Sequence, residues 1–247
     1  MTAENPGNLV FVGDVHLESG DAALEDFLSF LDRVGRTAAR IVLMGDLFNL
    51  WVARAELERP HQVRVIDRLV ELRARGIVVR YIEGNRDYRV GRRHSGGALD
   101  DSTDNSLVEE FGGHRVFAAH GDLVNVADRQ YRLWRRLSRS QLFWAAFRMV
   151  PRARRVRMAE ALEARMRSTN LAFKQEFPEQ AVRGYAAELF AAGHDIVVLG
   201  HFHTERDLTL ENDGPRGRIL VLPEWRESRR HLEVGLDGRV GFVDSPY

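Results

Sequence analysis

The chain predicts an α/β fold: a largely parallel sheet with helices on its faces, interrupted by a helical insertion. Three observations carry this. The first half alternates short apolar runs with helical patterns in the order β-α-β-α-β. A polar residue able to bind a metal stands where each apolar run stops. From about residue 123 to 192 the strand pattern is lost, and it resumes at "DIVVLGHFH".

"NLVFVGDVH" reads as a buried strand ending at Gly13. "DAALEDFLSFLDRVG" places Leu24, Phe27, Leu28, Leu31 and Val34 on one helical face, with Asp21 as the expected N-cap and Gly35 as the stop. "RIVLMGD" is a second strand. Pro60 to Arg75 is a second helix, with Val63, Ile66, Leu69 and Leu72 at helical spacing and Gly76 at its end. "IVVRYIEGN" is a third strand and "RVFAAHGD", near 115–122, a fourth. Beyond the insertion, short strands are expected at 206–211, 218–222, 230–236 and 239–243, separated by turn-rich stretches such as "ENDGPRG". One domain is expected, with its core at 1–122 and 194–247 and the helical cap insertion at about 123–193.

Composition is that of a globular protein, with 44% apolar and 29% charged residues. There are no cysteines, which excludes disulfides, thiolate metal sites and a cysteine nucleophile. The first residues, "MTAENPGNLV", lack the basic and apolar regions of a signal peptide. The longest apolar run of the insertion, "LFWAAF", is too short to span a bilayer. A cytoplasmic protein is the expectation. The net charge is zero, but residues 129–167 hold twelve Arg against two acids, Glu160 and Glu163. The insertion is therefore strongly basic and the remainder acidic.

The strand ends supply the chemistry. "GDVH" gives Asp14 and His16, "GDLFN" gives Asp46, "EGNRD" gives Asn85, "HGD" gives His120, and "GHFH" gives His201 and His203. Sites in open α/β sheets form outside the carboxyl ends of strands, so these side chains can converge. The i,i+2 pairs Asp14/His16 and His201/His203 point to one side of an extended segment. Seven N/O ligands exceed one tetrahedral site and suffice for two metals sharing a carboxylate. Such a set without sulfur suits Mn, Fe, Co or Zn. Two metals about 3.5–4 Å apart clamp a phosphoryl group and lower the pKa of a water between them. Asn85, as a neutral carbonyl ligand, limits the negative charge around such a nucleophile.

These ordered motifs resemble the calcineurin-like metallophosphoesterase superfamily, which reads D-x-H, G-D, G-N-H, H and G-H-x-H. The resemblance implies a four-layer αββα sandwich of two mixed sheets with the insertion as a helical cap. It implies one metal on Asp14, His16, Asp46 and His203, and another on Asp46, Asn85, His120 and His201, with Asp46 bridging. Asp46, Asn85, Arg86 and His120 would carry catalysis.

The superfamily's His after the Asn, which protonates the leaving group, is Arg86 here. A guanidinium cannot give up a proton at neutral pH. An ester expelling an alkoxide needs a general acid. A phosphate whose second pKa is ~6 can leave without one, and a guanidinium can bind its charge bidentately. Arg86 therefore favours a phosphoanhydride.

"GDLFNLW", "GNRDY" and "HGDLVNVADRQYR" are similar to the UDP-2,3-diacylglucosamine diphosphatase family of lipid A biosynthesis. That resemblance implies cleavage of a nucleotide-sugar lipid to UMP and the lipid sugar 1-phosphate, with two divalent metals, Mn²⁺ foremost, and a cap over the acyl chains. Asn85, Arg86, Asp128 and His201 would meet the substrate, as would Asn170 and Lys174 from the cap, which are four apart and share a helix face. The sequence departs from the family at "VARAELE" (Val52–Glu58), at Leu171 and Phe177, and at "PEW".

In the insertion, Trp134, Phe143, Trp144 and Phe147 are interleaved with Arg132, Arg135, Arg136, Arg139 and Arg148. A basic, aromatic, amphipathic segment suits the anionic inner-membrane surface, its cytoplasmic face here, with the enzyme peripherally bound. The same residues could bind nucleic acid, as in a two-metal nuclease or phosphodiesterase. The balanced total charge and the lack of a second nucleic-acid module speak against that. A scaffold that keeps only the fold would have lost ligands, and all seven positions are filled. No protein partner is expected. His61, His94, His114, His194 and His231 are expected in structural or surface roles.

Overall fold

The computed structural model describes residues 7–126, 128–170, 177–210 and 217–245, with the side chains of 167–170 excepted. In chain order the elements are β1 (Asn8–Val12), α1 (Ala23–Val34), β2 (Ala38–Leu43), β3 (Trp51–Val52), α2 (Pro60–Ala74), β4 (Val78–Ile82), β5 (Asp87–Tyr88), α3 (Val90–His94), β6 (Asp101–Thr103), β7 (Ser106–Phe111) and β8 (His114–Ala119). Four helices follow: α4 (Arg129–Arg139), α5 (Gln141–Met149), α6 (Arg152–Asn170) and α7 (Glu179–Ala191). Then come β9 (Ile196–Leu199), β10 (Arg206–Leu210), β11 (Gly217–Val221), α8 (Trp225–Ser228), β12 (Arg230–Val234) and β13 (Val240–Asp244).

Two mixed sheets result. The first has the order β13-β12-β1-β2-β4-β6 and the second β10-β11-β9-β8-β7. The pairs β1–β2, β2–β4 and β4–β6 are parallel, as are β8–β9 and β9–β11. The pairs β1–β12, β12–β13, β10–β11 and β7–β8 are antiparallel, so every edge strand of these two sheets but β6 runs against its neighbour.

Strand periodicity sorts the core into layers. Val10 and Val12 of β1 point outward, onto Phe27, Leu31, Leu69 and Leu72 of α1 and α2. Leu9 and Phe11 point inward and meet Val116, Ala118, Val198 and Leu220 of the second sheet. Phe117, Val197, Leu199 and Ile219, on that sheet's far face, pack on Val182, Ala186 and Phe190 of α7. The order is helices, sheet, sheet, helix. Of the helical stretch expected at about 123–193, α7 lies in this outermost layer, while α4, α5 and α6 lie over the ends of the strands of the first sheet.

Local details differ from expectation. Ala22 is the N-cap of α1, and Asp21 instead accepts the N–H of Ala23 through Oδ1. The buried face of α2 runs through Gln62, Val65, Leu69 and Leu72, leaving Val63 exposed. Gln62 faces inward because its Oε1 accepts from the Arg59 N–H and its amide donates to the Leu50 carbonyl. The short elements between 87 and 111 were not expected from sequence.

Candidate metal centre

The loops after β1, β2, β4, β8 and β9 meet at one end of the two sheets. Backbone hydrogen bonds zip the first two together: Asp14 N–H to the Gly45 carbonyl, Val15 and His16 N–H to that of Asp46, and Leu17 N–H to that of Leu47. Asp14, His16, Asp46, His201 and His203 all have positive φ, between 50° and 72°. The i,i+2 pairs thus converge through left-handed backbone, not through an extended segment. Each such residue costs on the order of 1–3 kcal/mol, and such strain clusters at functional sites. Two glycines make room. A Cβ on Gly84 would lie 2.2 Å from Asp46 Oδ1, and one on Gly200 would lie 2.8 Å from Asp14 Oδ2.

All seven expected ligand residues are brought together. Donor atoms of Asp14, His16 and His203 lie within 4.8 Å of one another, and so do those of Asp14, Asp46 and His120. His16 Nε2 and His203 Nε2 are 3.1 Å apart, and His203 Nε2 is 3.5 Å from Asp14 Oδ1. Asn85 Oδ1 is 3.0 Å from His120 Nε2 and 3.1 Å from His201 Nδ1. Asp46 Oδ2 is 3.8 Å from His120 Nε2.

The donor types and the buried atoms left without partners fit this set to divalent cations. Asp14 Oδ1 and His16 Nδ1 are buried without a hydrogen-bond partner among the described residues. Lone-pair donors face one another across gaps that a cation would bridge. His120 donates Nδ1–H to the Met44 carbonyl at 2.8 Å, which turns Nε2 toward the centre. Burial, then the charge of His203, holds His16 well below the usual imidazole range. Burial, then the charge of His120, pushes His201 down to about 4. Both are then neutral, as ligands must be. His203 is raised to about 10, against its burial, by the carboxylates of Asp14 and Glu224, and His120 is raised, against its burial, by Asp46 and Asp14; a cation bound here would take the place of those protons. Burial also raises Asp46, against the charges of His120 and Arg86.

Residues that sequence reasoning left without a role brace these loops. Asp87 Oδ2 accepts the N–H groups of Asp46 and Gly84, each at 2.8 Å, and the Tyr81 hydroxyl at 2.9 Å. That is why an Asp ends "GNRD". Glu224 Oε2, in the divergent "PEW", stands 3.4 Å from His203 Nδ1. Asp122 of "HGD" is buried against Arg135 Nε at 3.0 Å and accepts the Tyr131 hydroxyl. The spacing of Tyr131 from "HGD" was the one available signal for that pair.

Arg86 is buried. Its backbone N–H donates to Asp46 Oδ1 at 3.0 Å, its Nε lies 3.3 Å from Asp46 Oδ2, and its Nη1 reaches the Met166 carbonyl of α6 at 3.2 Å. It therefore spans donor cluster and cap. Asp128 is the exposed N-cap of α4 and accepts the Tyr131 N–H at 2.8 Å. The Asn170 side chain and Lys174 lie outside the described residues. The other histidines serve packing and hydrogen bonds: His94 meets Glu58, His114 the Gly238 carbonyl, and His231 Ser245 and Glu233, while His61 and His194 lie against Phe48 and Phe117.

The cap corrects one expectation. Of the arginines and aromatics read as one membrane-facing series, Arg135 and Trp144 are buried. Arg139 donates to the carbonyls of Asp87 and Gly84, at 3.2 and 2.8 Å. These three hold the cap to the core. Trp134, Leu133, Leu137, Leu142 and Met149 remain exposed. Between the helices, Val52, Tyr88, Phe143, Trp144, Phe147 and Leu162 line an apolar cleft of about 340 Å³. No helix among the described residues is long and apolar enough to cross a membrane.

Comparison with known proteins agrees with this geometry. The family model "Calcineurin-like phosphoesterase" matches residues 7–205. A UDP-2,3-diacylglucosamine hydrolase of Ralstonia nicotianae is 31% identical, over 89% of this chain and 84% of its own. One of Chromohalobacter salexigens is 28% identical over 89% of each chain, and one of Pseudomonas putida is 28% identical over 97% of this chain and 98% of its own. The two mixed sheets, the donor-bearing loops at their ends and the match over most of the chain place this protein in the calcineurin-like phosphoesterase family.

Proposed function

We propose that this chain hydrolyses the pyrophosphate of UDP-2,3-diacylglucosamine, giving UMP and 2,3-diacylglucosamine 1-phosphate for lipid A biosynthesis. The observation that carries the reading is the junction of the donor cluster with an apolar cleft. Tyr88 lines the cleft, and its hydroxyl is 3.5 Å from the backbone carbonyl oxygen of Asn85. A polar head and an apolar tail can be held at once only at such a junction. The relatives named for this activity, matched over most of the chain, support it.

Asp14, His16, Asp46 and His203 would hold one divalent cation, and Asp46, Asn85, His120 and His201 another, with Mn²⁺ preferred. Bound there, the cations supply Lewis acidity and lower the pKa of a water. The remaining work belongs to side chains. Asn85 offers a neutral oxygen beside His120 and His201. Asp87 and the Arg86 N–H fix the Asp46 carboxylate. The Arg86 guanidinium binds the charge of the departing phosphate and gives it no proton, which a group of second pKa ~6 does not need. Phe143, Trp144, Phe147 and Leu162 pack an acyl chain, and Asp128, Asn170 and Lys174 are assigned to the substrate's polar groups. The exposed apolar residues of α4 and α5, with Arg132, Arg136 and Arg148, rest on the anionic cytoplasmic face of the inner membrane.

The test is UMP release from UDP-2,3-diacylglucosamine by chelator-stripped protein resupplied with Mn²⁺, beside Asn85→Ala. The expected result is metal-dependent UMP release, lost in the variant, and faster turnover of the anhydride than of any simple monoester. Hydrolysis of generic phosphodiesters without UMP release would reject the substrate and keep the metal chemistry. A wild type faster on monoesters would reject the role of Arg86.

A further inference from the structure

A second concentration of charge lies away from the donor cluster, where "VARAELE" meets α3. Arg54, Arg89, Arg92 and Arg93 line one depression of about 200 Å³. Arg89 and Arg92 also border a polar cavity of about 420 Å³ that reaches Ser102, Gln141 and Trp144. Of the carboxylates nearby, Glu83 and Asp104, which line the larger cavity, each face Arg139 at 3.8 Å. Glu56 pairs with Arg54 at 2.7 Å and Arg155 at 3.0 Å, and Glu58 with His94 and Arg93. Arg89, Arg92 and Arg148 form no ion pair among the described residues.

Arg89 is the centre of this group. It is half-buried, its φ is +63°, and its guanidinium carbon lies 5.2 Å from the centroid of the Trp144 ring. Burial, then the charges of Arg92, Arg54 and Arg148, holds its pKa below the usual guanidinium value. Stacking on an aromatic ring offsets part of that repulsion and leaves the hydrogen-bonding edge of the fork free for an anion. Arg89 and Arg92, side by side without an ion pair among the described residues, match the oxygens of a phosphate, which accepts bidentate bonds from each. Arg148 also adjoins Met149, which is 87% exposed, on the helix that carries Leu142, 81% exposed. Phosphate chemistry thus borders an exposed apolar helix.

We propose that Arg89 and Arg92, with Arg54 at the rim of the same depression, form a phosphate-binding site distinct from the metal centre, and that its ligand is the phosphodiester headgroup of an anionic lipid. This deepens the membrane-surface reading above and is independent of which substrate is cleaved.

The test uses the full-length, Mn²⁺-loaded chain and Arg89→Gln/Arg92→Gln. One arm measures partition onto phosphatidylcholine vesicles with and without 20% phosphatidylglycerol. The other measures the stoichiometry of inorganic phosphate binding by titration calorimetry. A control, Arg36→Gln/Arg239→Gln, removes two exposed charges elsewhere. The double variant is expected to lose on the order of 20-fold in partition onto the anionic vesicles, from about fivefold per arginine near such a surface. The control should lose less than threefold. Turnover of a water-soluble chromogenic phosphodiester should stay within twofold, which shows an intact fold and metal centre. Phosphate stoichiometry one lower in the variant with unchanged vesicle partition would keep the phosphate site and reject the lipid as its ligand. An equal loss in the control, or no change in either arm, would overturn the proposal. The vesicles hold no substrate, so failure here and failure of the hydrolysis reading are separately visible.

Discussion

The donor loops and the cap are held by opposite means. Five of the seven donor residues sit in left-handed backbone, and Asp14, His16, Asp46 and His120 are almost fully buried. They stay there because the sheets and the Asp87 hydrogen bonds over-determine them. The cap spends little strain and buries little. Its own cluster draws on Trp144, Phe143, Phe147, Leu162 and Met166, and its attachment depends on Tyr131, Arg135, Arg139 and Trp144, with Arg86 reaching up from below. The difference teaches that this molecule places rigidity where charge must be aligned, and weaker attachment around the apolar cleft proposed to take the tail.

The most direct way to break the rigid region is Asn85→Ala. It removes the neutral oxygen beside His120 and His201 that is proposed to hold a cation, and turnover should fall by about 10²–10³-fold. Thermal unfolding should move by only a few degrees, because the bracing by Asp87 is untouched. A large loss of stability with small loss of turnover would place Asn85 in the scaffold.

Glu224→Gln probes the same region one bond further out. A carboxylate behind a metal-ligating histidine orients the ring and raises its basicity, and losing it costs about 10–100-fold in metal affinity. Metal titration followed by activity should show this shift, with full turnover recovered at saturating Mn²⁺. Unchanged affinity would mean that Glu224 only fills space beside His203.

Arg139→Ala tests the cap. The Asp87 carbonyl would lose the Arg139 donor and that of Gly84 would keep only the long bond from the Asp87 N–H, at about 1–3 kcal/mol. Limited proteolysis should then cut faster within α5 and α6, while the midpoint of global unfolding shifts little. UMP release should fall by about tenfold through a raised KM. A fall in kcat alone, with an unchanged cleavage rate, would mean that Arg139 acts on the donor loops and not on the cap.

The same contrast explains what could be read from sequence. The donor cluster was legible because each ligand type ends an apolar run, and strand ends of one sheet share a side of the molecule. Its neighbours were less so. In β7 the inward row is Leu107, Glu109 and Phe111. The charged Glu109 breaks the period-two signal, and only the fold reveals that Arg40 and Arg80 satisfy it, at 3.0 and 2.6 Å. Arginine misled in the same way in α4, where Arg135 and Arg139 look like solvated residues until the carbonyls and carboxylate beneath them are seen. β3, β5 and β6 are two or three residues long, too short for any periodicity. Left-handed backbone at Asp14 and His203 has only a weak signature, because Asp and His are enriched there yet adopt other conformations far more often.

The smallest expected effect sharpens the boundary between the regions. Glu83 lies under the cap, 3.8 Å from Arg139, with Oε1 accepting the Gly91 N–H at 3.1 Å. Burial pushes its carboxyl up to about 7 from an ordinary 4.5, more than the charge of Arg139 can offset. A raised folded value means that the native chain holds this proton more tightly than the unfolded chain. Its contribution to stability is complete below about pH 4.5 and is lost as pH rises through about 7. The full shift corresponds to no more than about 3 kcal/mol, and relaxation around a side chain next to a cavity reduces it to about 1–2 kcal/mol. Glu83→Gln carries no titrating proton. Denaturant unfolding of both proteins at pH 5 and pH 8 should show the wild type losing about 1–2 kcal/mol more than the variant over that interval. Equal losses would mean that Arg139 neutralises Glu83 fully, and that the cap is fastened by an ion pair and not only by the carbonyls beneath it.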